Sequence, residues 1–240
     1  QLPNQTWSFT KGSDGTANGT TEIPNEPTLV LVTDVEILDD QTEKLLPGGA
    51  FDIVNGEGEL VQSGTLGENG DRTIRYMKPG KYTLKQTKAP LGYVLQVEEY
   101  AFEINSNGYV TGDTKIINIP TVVVISKLDP DKKAVADATY EIYNGENEKV
   151  FAGKTDEEGK LTAKYLPAGK YTYKETKAPS GYALNPTAYA FEIDEAGGVT
   201  GTFLVTDPFA SIVIKKVDAK TDKPLPGAVS YTHLTLPTIL

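Results

Sequence analysis

The 240-residue chain contains no cysteine, which rules out disulfides and thiolate chemistry. Its single histidine, His233, lies in the last twelve residues, so the rest of the chain lacks the parts for an ordinary zinc site or a histidine-based triad. No run of about 18 apolar residues is present, so no helix is expected to span a membrane. Basic charge is scarce: 23 Lys and Arg face 33 Asp and Glu, and the net charge of −10 argues against nucleic acid as a partner. The first residues, QLPNQTWSFT, lack the basic and apolar regions of a signal peptide. The acidic stretches Asp129–Asp131 and Asp156–Glu158 lack EF-hand spacing and read as solvated turns rather than calcium loops. No cofactor and no metal are expected.

What the chain does have is repetition. Gly80–Leu95 reads GKYTLKQTKAPLGYVL and Gly169–Leu184 reads GKYTYKETKAPSGYAL, identical at twelve of sixteen positions with an offset of 89. Trp7–Thr28 aligns without gaps to Tyr100–Thr121, and that segment aligns to Tyr189–Ala210. Val122–Asp131 matches Ser211–Lys220 in the same way. Repetition at this period means tandem copies of one unit. The expected division is 1–28 as the end of a preceding repeat, 29–120 and 121–209 as two whole repeats, and 210–228 as the first strand of another. Residues 229–240 do not continue the pattern and read as an adaptor-like foreign tail.

Each repeat is rich in Val, Thr, Tyr and Ile in short alternating runs, cut by turn signals such as Asn55-Gly56, Asn107-Gly108 and Asn144-Gly145. This predicts an all-β chain of tandem, Ig-like antiparallel sandwiches with about seven strands each. Tyr82, Tyr93, Tyr171 and Tyr182 are expected to be core and corner residues with local hydrogen-bond partners. The junctions are short and carry proline (Asn25-Glu26-Pro27, Asn118-Ile119-Pro120, Asp207-Pro208), which predicts a semi-rigid rod with few contacts between repeats. The end segments 7–27 and 211–217 are expected to pair opportunistically or not at all.

Three ionisable residues interrupt apolar faces. Side chains alternate along a strand, so Lys127 continues the face of Val123 and Ile125, Glu175 that of Tyr171 and Tyr173, and Asp207 that of Phe203 and Val205. Unpaired buried charge is expensive, so three such residues are expected to meet. Burial disfavours charged forms, which prepares an amine for attack on a carboxyl group while a neighbouring acid shuttles protons. The product is an amide, made once, with loss of water.

The phrase KETKAPSGY within Tyr171–Tyr182 resembles the E-box of Gram-positive pilins and adhesins, and the repeat as a whole resembles the collagen-adhesin B-type (Cna B-like, SpaA-like) domain over residues 1–228. The resemblance implies a prealbumin-like β-sandwich with an internal isopeptide bond, Lys127 joined to Asp207 and Glu175 as the catalytic residue. The first whole repeat departs from the pattern. Its E-box position is Gln86, its last-strand partner is Asn118, and Asp34 or Ile37 falls at the lysine position, depending on the gap; no lysine occurs between Lys11 and Lys44. Asn25 and Lys216 occupy partner positions in the incomplete end repeats.

The expected role is a stalk segment of an adhesin or pilin-like protein on the cell wall of a Gram-positive bacterium, not an enzyme, with neighbouring repeats as partners. The alternatives are an adhesin module that binds host matrix protein or glycan through loops or edge strands, and an accessory module of a secreted carbohydrate-active enzyme.

Overall fold

The computed structural model describes residues 8–14, 16–19, 32–74, 77–211 and 215–225. Asn25 and the tail 229–240 lie outside them. The described residues form no helix and two tandem β-sandwiches.

The first sandwich comprises β3 (Val32–Asp39), β4 (Ala50–Asn55), β5 (Leu60–Thr65), β6 (Asp71–Ile74), β7 (Gly80–Lys88), β8 (Glu99–Ile104), β9 (Val110–Gly112) and β10 (Lys115–Asn118). The second comprises β11 (Val122–Leu128), β12 (Thr139–Asn144), β13 (Lys149–Lys154), β14 (Lys160–Lys164), β15 (Gly169–Lys177), β16 (Ala188–Ile193), β17 (Val199–Gly201) and β18 (Leu204–Thr206). Each sandwich packs a five-stranded sheet (β5-β4-β7-β8-β9; β13-β12-β15-β16-β17) on a three-stranded one (β10-β3-β6; β14-β11-β18). Among the described residues eight strands form each sandwich, against the seven or so expected. The pairing is not wholly antiparallel either: the last strand of each lies parallel beside its first, β10 on β3 and β18 on β11.

Alternation builds both cores. Phe51, Ile53, Leu84, Phe102, Ile104 and Ile116 are buried in the first, as are Tyr140, Ile142, Tyr173, Phe191, Ile193 and Val205 in the second. Matching turns close the hairpins. The Asn55 side chain accepts the amides of Glu57 and Glu59, and Asn144 those of Glu146 and Glu148, an Asx arrangement that mimics a backbone turn. The tyrosines do find local partners. Tyr82 and Tyr171 donate to the carbonyls of Lys78 and Pro167, and Tyr93 donates to Asp39. In the acidic stretches, Asp129 accepts the Lys133 amide and Asp156 that of Lys160.

The two cores are separate, and the junction carries a few specific contacts. Leu95 N–H donates to the Ala196 carbonyl at 2.9 Å, the Thr121 hydroxyl donates to the Leu166 carbonyl at 2.7 Å, and the Tyr93 and Tyr165 rings meet edge-on at 5.5 Å. A three-residue linker holds two broad ends against each other, so polar backbone there is satisfied across the joint rather than by solvent. At the amino end, β1 (Phe9–Lys11) and β2 (Ala17–Gly19) form a hairpin pairing Phe9 with Gly19, the same pairing as Phe102 with Gly112 and Phe191 with Gly201. That piece keeps its repeat-specific register.

Candidate functional site

Lys127 lies on the central strand of the three-stranded sheet, Asp207 just beyond β18 beside it, and Glu175 on β15 of the opposing sheet. The parallel register sets Lys127 opposite Val205 and Leu128 opposite Thr206. The Asp207 amide then donates to the Leu128 carbonyl, which places its side chain next to the lysine. All three side chains are at most 1% exposed. Lys127 Nζ contacts Asp207 Oδ1 directly and stands 3.4 Å from Glu175 Oε2, which also accepts the Asn185 amide at 2.9 Å. The Tyr140 ring lies 5.5 Å from the Lys127 nitrogen, opposite Glu175 on the paired strand; its fully buried hydroxyl meets no hydrogen-bond partner among the described residues.

Burial pushes the Glu175 carboxyl above its ordinary range, and the adjacent Asp207 carboxyl raises it further; the Asn185 amide and the Lys127 charge pull the other way without cancelling the burial. Burial and the two carboxyl groups also keep the Tyr140 phenol un-ionised. The arrangement brings an amine and two carboxyl groups together at one fully buried location.

The same location in the first sandwich is built otherwise. Ile37 pairs with Ile116 as Lys127 pairs with Val205, so Ile37 rather than Asp34 occupies the lysine position. Gln86 Nε2 donates to Asn118 Oδ1 at 2.9 Å, and Asn118 Nδ2 donates to Gln86 Oε1 at 3.2 Å and to the Val94 carbonyl at 2.6 Å. Gln86 Oε1 also accepts the Gln96 amide, the counterpart of Asn185 on Glu175. Lys216 is exposed; the Leu225 amide donates to its carbonyl, as the Val135 amide does to that of Lys127. Tyr140 is the site residue that strand alternation alone did not single out. The signal available was Phe51 at the equivalent position of the first repeat.

The family described as "SpaA: Prealbumin-like fold domain" matches residues 34–118 and again 121–206. The chain belongs to this family. Among solved structures, this SpaA-type chain is similar to the Bacillus anthracis TIE protein at 32% identity, covering 72% of this chain and 33% of that one, with a TM-score of 0.44. It is also similar to a C-terminal fragment of the pilus adhesin SpaC from Lactobacillus rhamnosus GG (16% identity, 75% of this chain and 98% of that, TM-score 0.41). A third is the shaft pilin spaA of the same organism (15% identity, 75% and 97%, TM-score 0.36). The SpaA-type chain spans a third of the length of the TIE chain it matches. No curated protein matches it.

Proposed function

We propose that this chain is a stalk segment of a protein displayed outside a Gram-positive cell, in which Lys127 and Asp207 become joined by an isopeptide bond formed with the help of Glu175. The observation that carries the reading is the dry contact of Lys127 with Asp207 beneath Glu175. Membership of the SpaA-type family and the tandem arrangement support the stalk.

In the reaction, the Lys127 ammonium first passes a proton to the Asp207 carboxylate, giving a neutral amine and a neutral acid. The Nζ lone pair attacks Cγ of Asp207 while protonated Glu175 donates to the carboxyl oxygen. Glu175 takes back a proton from the nitrogen, the C–OH bond breaks, and one water leaves. Atoms balance as ammonium plus carboxylate giving amide plus water, with Glu175 regenerated. The bond ties the first strand of the sandwich to its last. By analogy with loop closure by disulfides, linking residues about 80 apart stabilises by about 4–5 kcal/mol. Under tension, load entering at β11 would leave at β18 without passing through the hydrogen bonds between them.

The test is intact mass of the full chain, followed by peptide sequencing. One missing water, with a branched peptide joining the segments around Lys127 and Asp207, is the expected result; a full-mass chain overturns the bond. Single-molecule pulling then tests the stalk. The second sandwich should give no extension across residues 127–207, whereas the first should unravel.

A further inference from the structure

The two sandwiches meet through a joint with a receiving half and an inserting half. The receiving half belongs to the first sandwich: Gly92–Leu95, after β7, and the linker up to Thr121. The inserting half belongs to the second: Tyr165–Leu166, between β14 and β15, and the β16–β17 turn at Ala196–Gly197. The approach is close. A Cβ on Gly92 would lie 2.5 Å from the Tyr165 carbonyl oxygen, and one on Gly197 would lie 2.8 Å from Val94 Cα. Both glycines also have positive φ (83° and 86°), so an L side chain at either is strained as well as blocked.

The second sandwich carries the receiving half again at its far end. The Ala210 amide donates to the Gly181 carbonyl at 2.9 Å, as the Thr121 amide does to Gly92 at 2.9 Å. The Ala183 amide donates to the Pro208 carbonyl, as Val94 does to Ile119. Tyr182 bridges to Phe209 as Tyr93 bridges to Pro120. Here nothing among the described residues lies within 4 Å of a Cβ on Gly181, and Leu184 and Phe209 are 49% and 46% exposed. The first sandwich repeats the turn of the inserting half: Gly108 has φ 85°, the Asn105–Tyr109 backbone bonds repeat those of Asp194–Gly198, and Tyr109 is 70% exposed; the counterpart of Tyr165 lies outside the described residues. A receiving surface at one end and this turn at the other make a heterologous contact, which propagates rather than closes.

We propose that the surface formed by Gly181–Leu184 and Phe209 is a docking site for a further copy of this repeat, seated through its own counterparts of Tyr165 and Ala196. Residues 215–225 already reproduce the opening of such a repeat in its backbone bonds: Asp218 N–H donates to the Lys223 carbonyl as Asp129 N–H does to Lys133. The downstream joint is looser than the first. Thr121, whose hydroxyl reaches across to Leu166, is replaced by Ala210, so the side-chain bond is lost while the backbone frame stays.

The absence of native cysteine makes disulfide trapping a clean test. Residues 212–240 are replaced by an in-frame copy of 123–209, giving three repeats in a row. Cysteines at Leu95 and Ala196 report the existing joint, where the Leu95 amide already donates to the Ala196 carbonyl. Cysteines at Leu184 and at the appended counterpart of Ala196 report the proposed one. Under mild oxidation both pairs should close, the second up to about tenfold more slowly. Adding Ala210→Thr should narrow that gap. The proposal is overturned if the Leu184 pair closes no faster than Leu184 paired with the appended counterpart of Lys149, on the edge strand. It is overturned equally if the Leu95/Ala196 pair fails to close, since the joint on which it is patterned would then be absent.

Discussion

The two sandwiches share strand order, the register of the five-stranded sheet and even the β-bulge between Ile53 and Val54, which recurs between Ile142 and Tyr143; in the three-stranded sheet, β3 and β6 carry a register shift that β11 and β14 lack. They differ in what fills one buried location. Ile37, Phe51, Leu84, Gln86 and Asn118 in the first stand where Lys127, Tyr140, Tyr173, Glu175 and Asp207 stand in the second. The first set is uncharged, and its two amides satisfy each other. The second set is ionisable, and its balance depends on protons. The scaffold therefore folds around either set; a buried lysine without its acids, or an acid without its lysine, would leave an uncompensated charge.

The largest expected effect breaks the second member of the comparison. Glu175→Gln should leave the chain at full sequence mass and lower the stability of the second sandwich by about 4–5 kcal/mol, read from denaturant unfolding and intact mass. Unchanged water loss in this variant would remove Glu175 from the chemistry. Next, Ile37→Lys alone should destabilise the first sandwich by roughly 3–5 kcal/mol, because its amine would face only neutral amides. Combining Ile37→Lys with Gln86→Glu converts the first site into the second; mass should then fall by one ammonia, released from Asn118, and stability should recover. Gln86→Glu without the lysine should change no mass.

A smaller effect concerns pH. Lys127→Met removes the amine and leaves Glu175 facing Asp207. The Glu175 carboxyl is raised by burial, so the folded state holds its proton more tightly than the unfolded chain does. That contribution is fully present below the ordinary value near 4.5 and is lost as pH rises through the raised value. Melting of the second sandwich in this variant should therefore fall with pH above that point, while Lys127→Met with Glu175→Gln should give a flatter profile. The smallest effect is Tyr140→Phe, which installs the Phe51 side chain. Removing an unpaired buried hydroxyl should leave stability unchanged or raise it by about 1 kcal/mol, measured by thermal unfolding. A loss well beyond that would show that the hydroxyl holds a partner.

Much of this contrast was legible in the residues. Alternation put Lys127, Glu175 and Asp207 on inward faces, and the missing lysine between Lys11 and Lys44 marked the first repeat as different. The gap before Lys44 was not legible. The turn from Asp39 to Lys44 holds one residue more than that from Asp129 to Lys133, yet both close with the same amide-to-carbonyl bond. Only that bond and the strand register decide that Ile37, rather than Asp34, matches Lys127. Tyr140 was equally obscure, because a tyrosine in an alternating strand looks like ordinary core until its neighbours are known.

The sequence by itself determined the repeat, the all-β class and the inward orientation of Lys127, Glu175 and Asp207, since each follows from local periodicity and composition. Tertiary structure alone decided which residues touch. Period-two alternation assigns a side chain to a face but carries no information about which strand lies beside it. The parallel pairing of β11 with β18 makes neighbours of residues 127 and 207, and it arises from closure of the whole sandwich. The joint between sandwiches was decided in the same way. Proline-bearing linkers fix the length of the connection, whereas the contacts of Gly92, Tyr93 and Tyr165 depend on the shapes of two folded ends meeting across it.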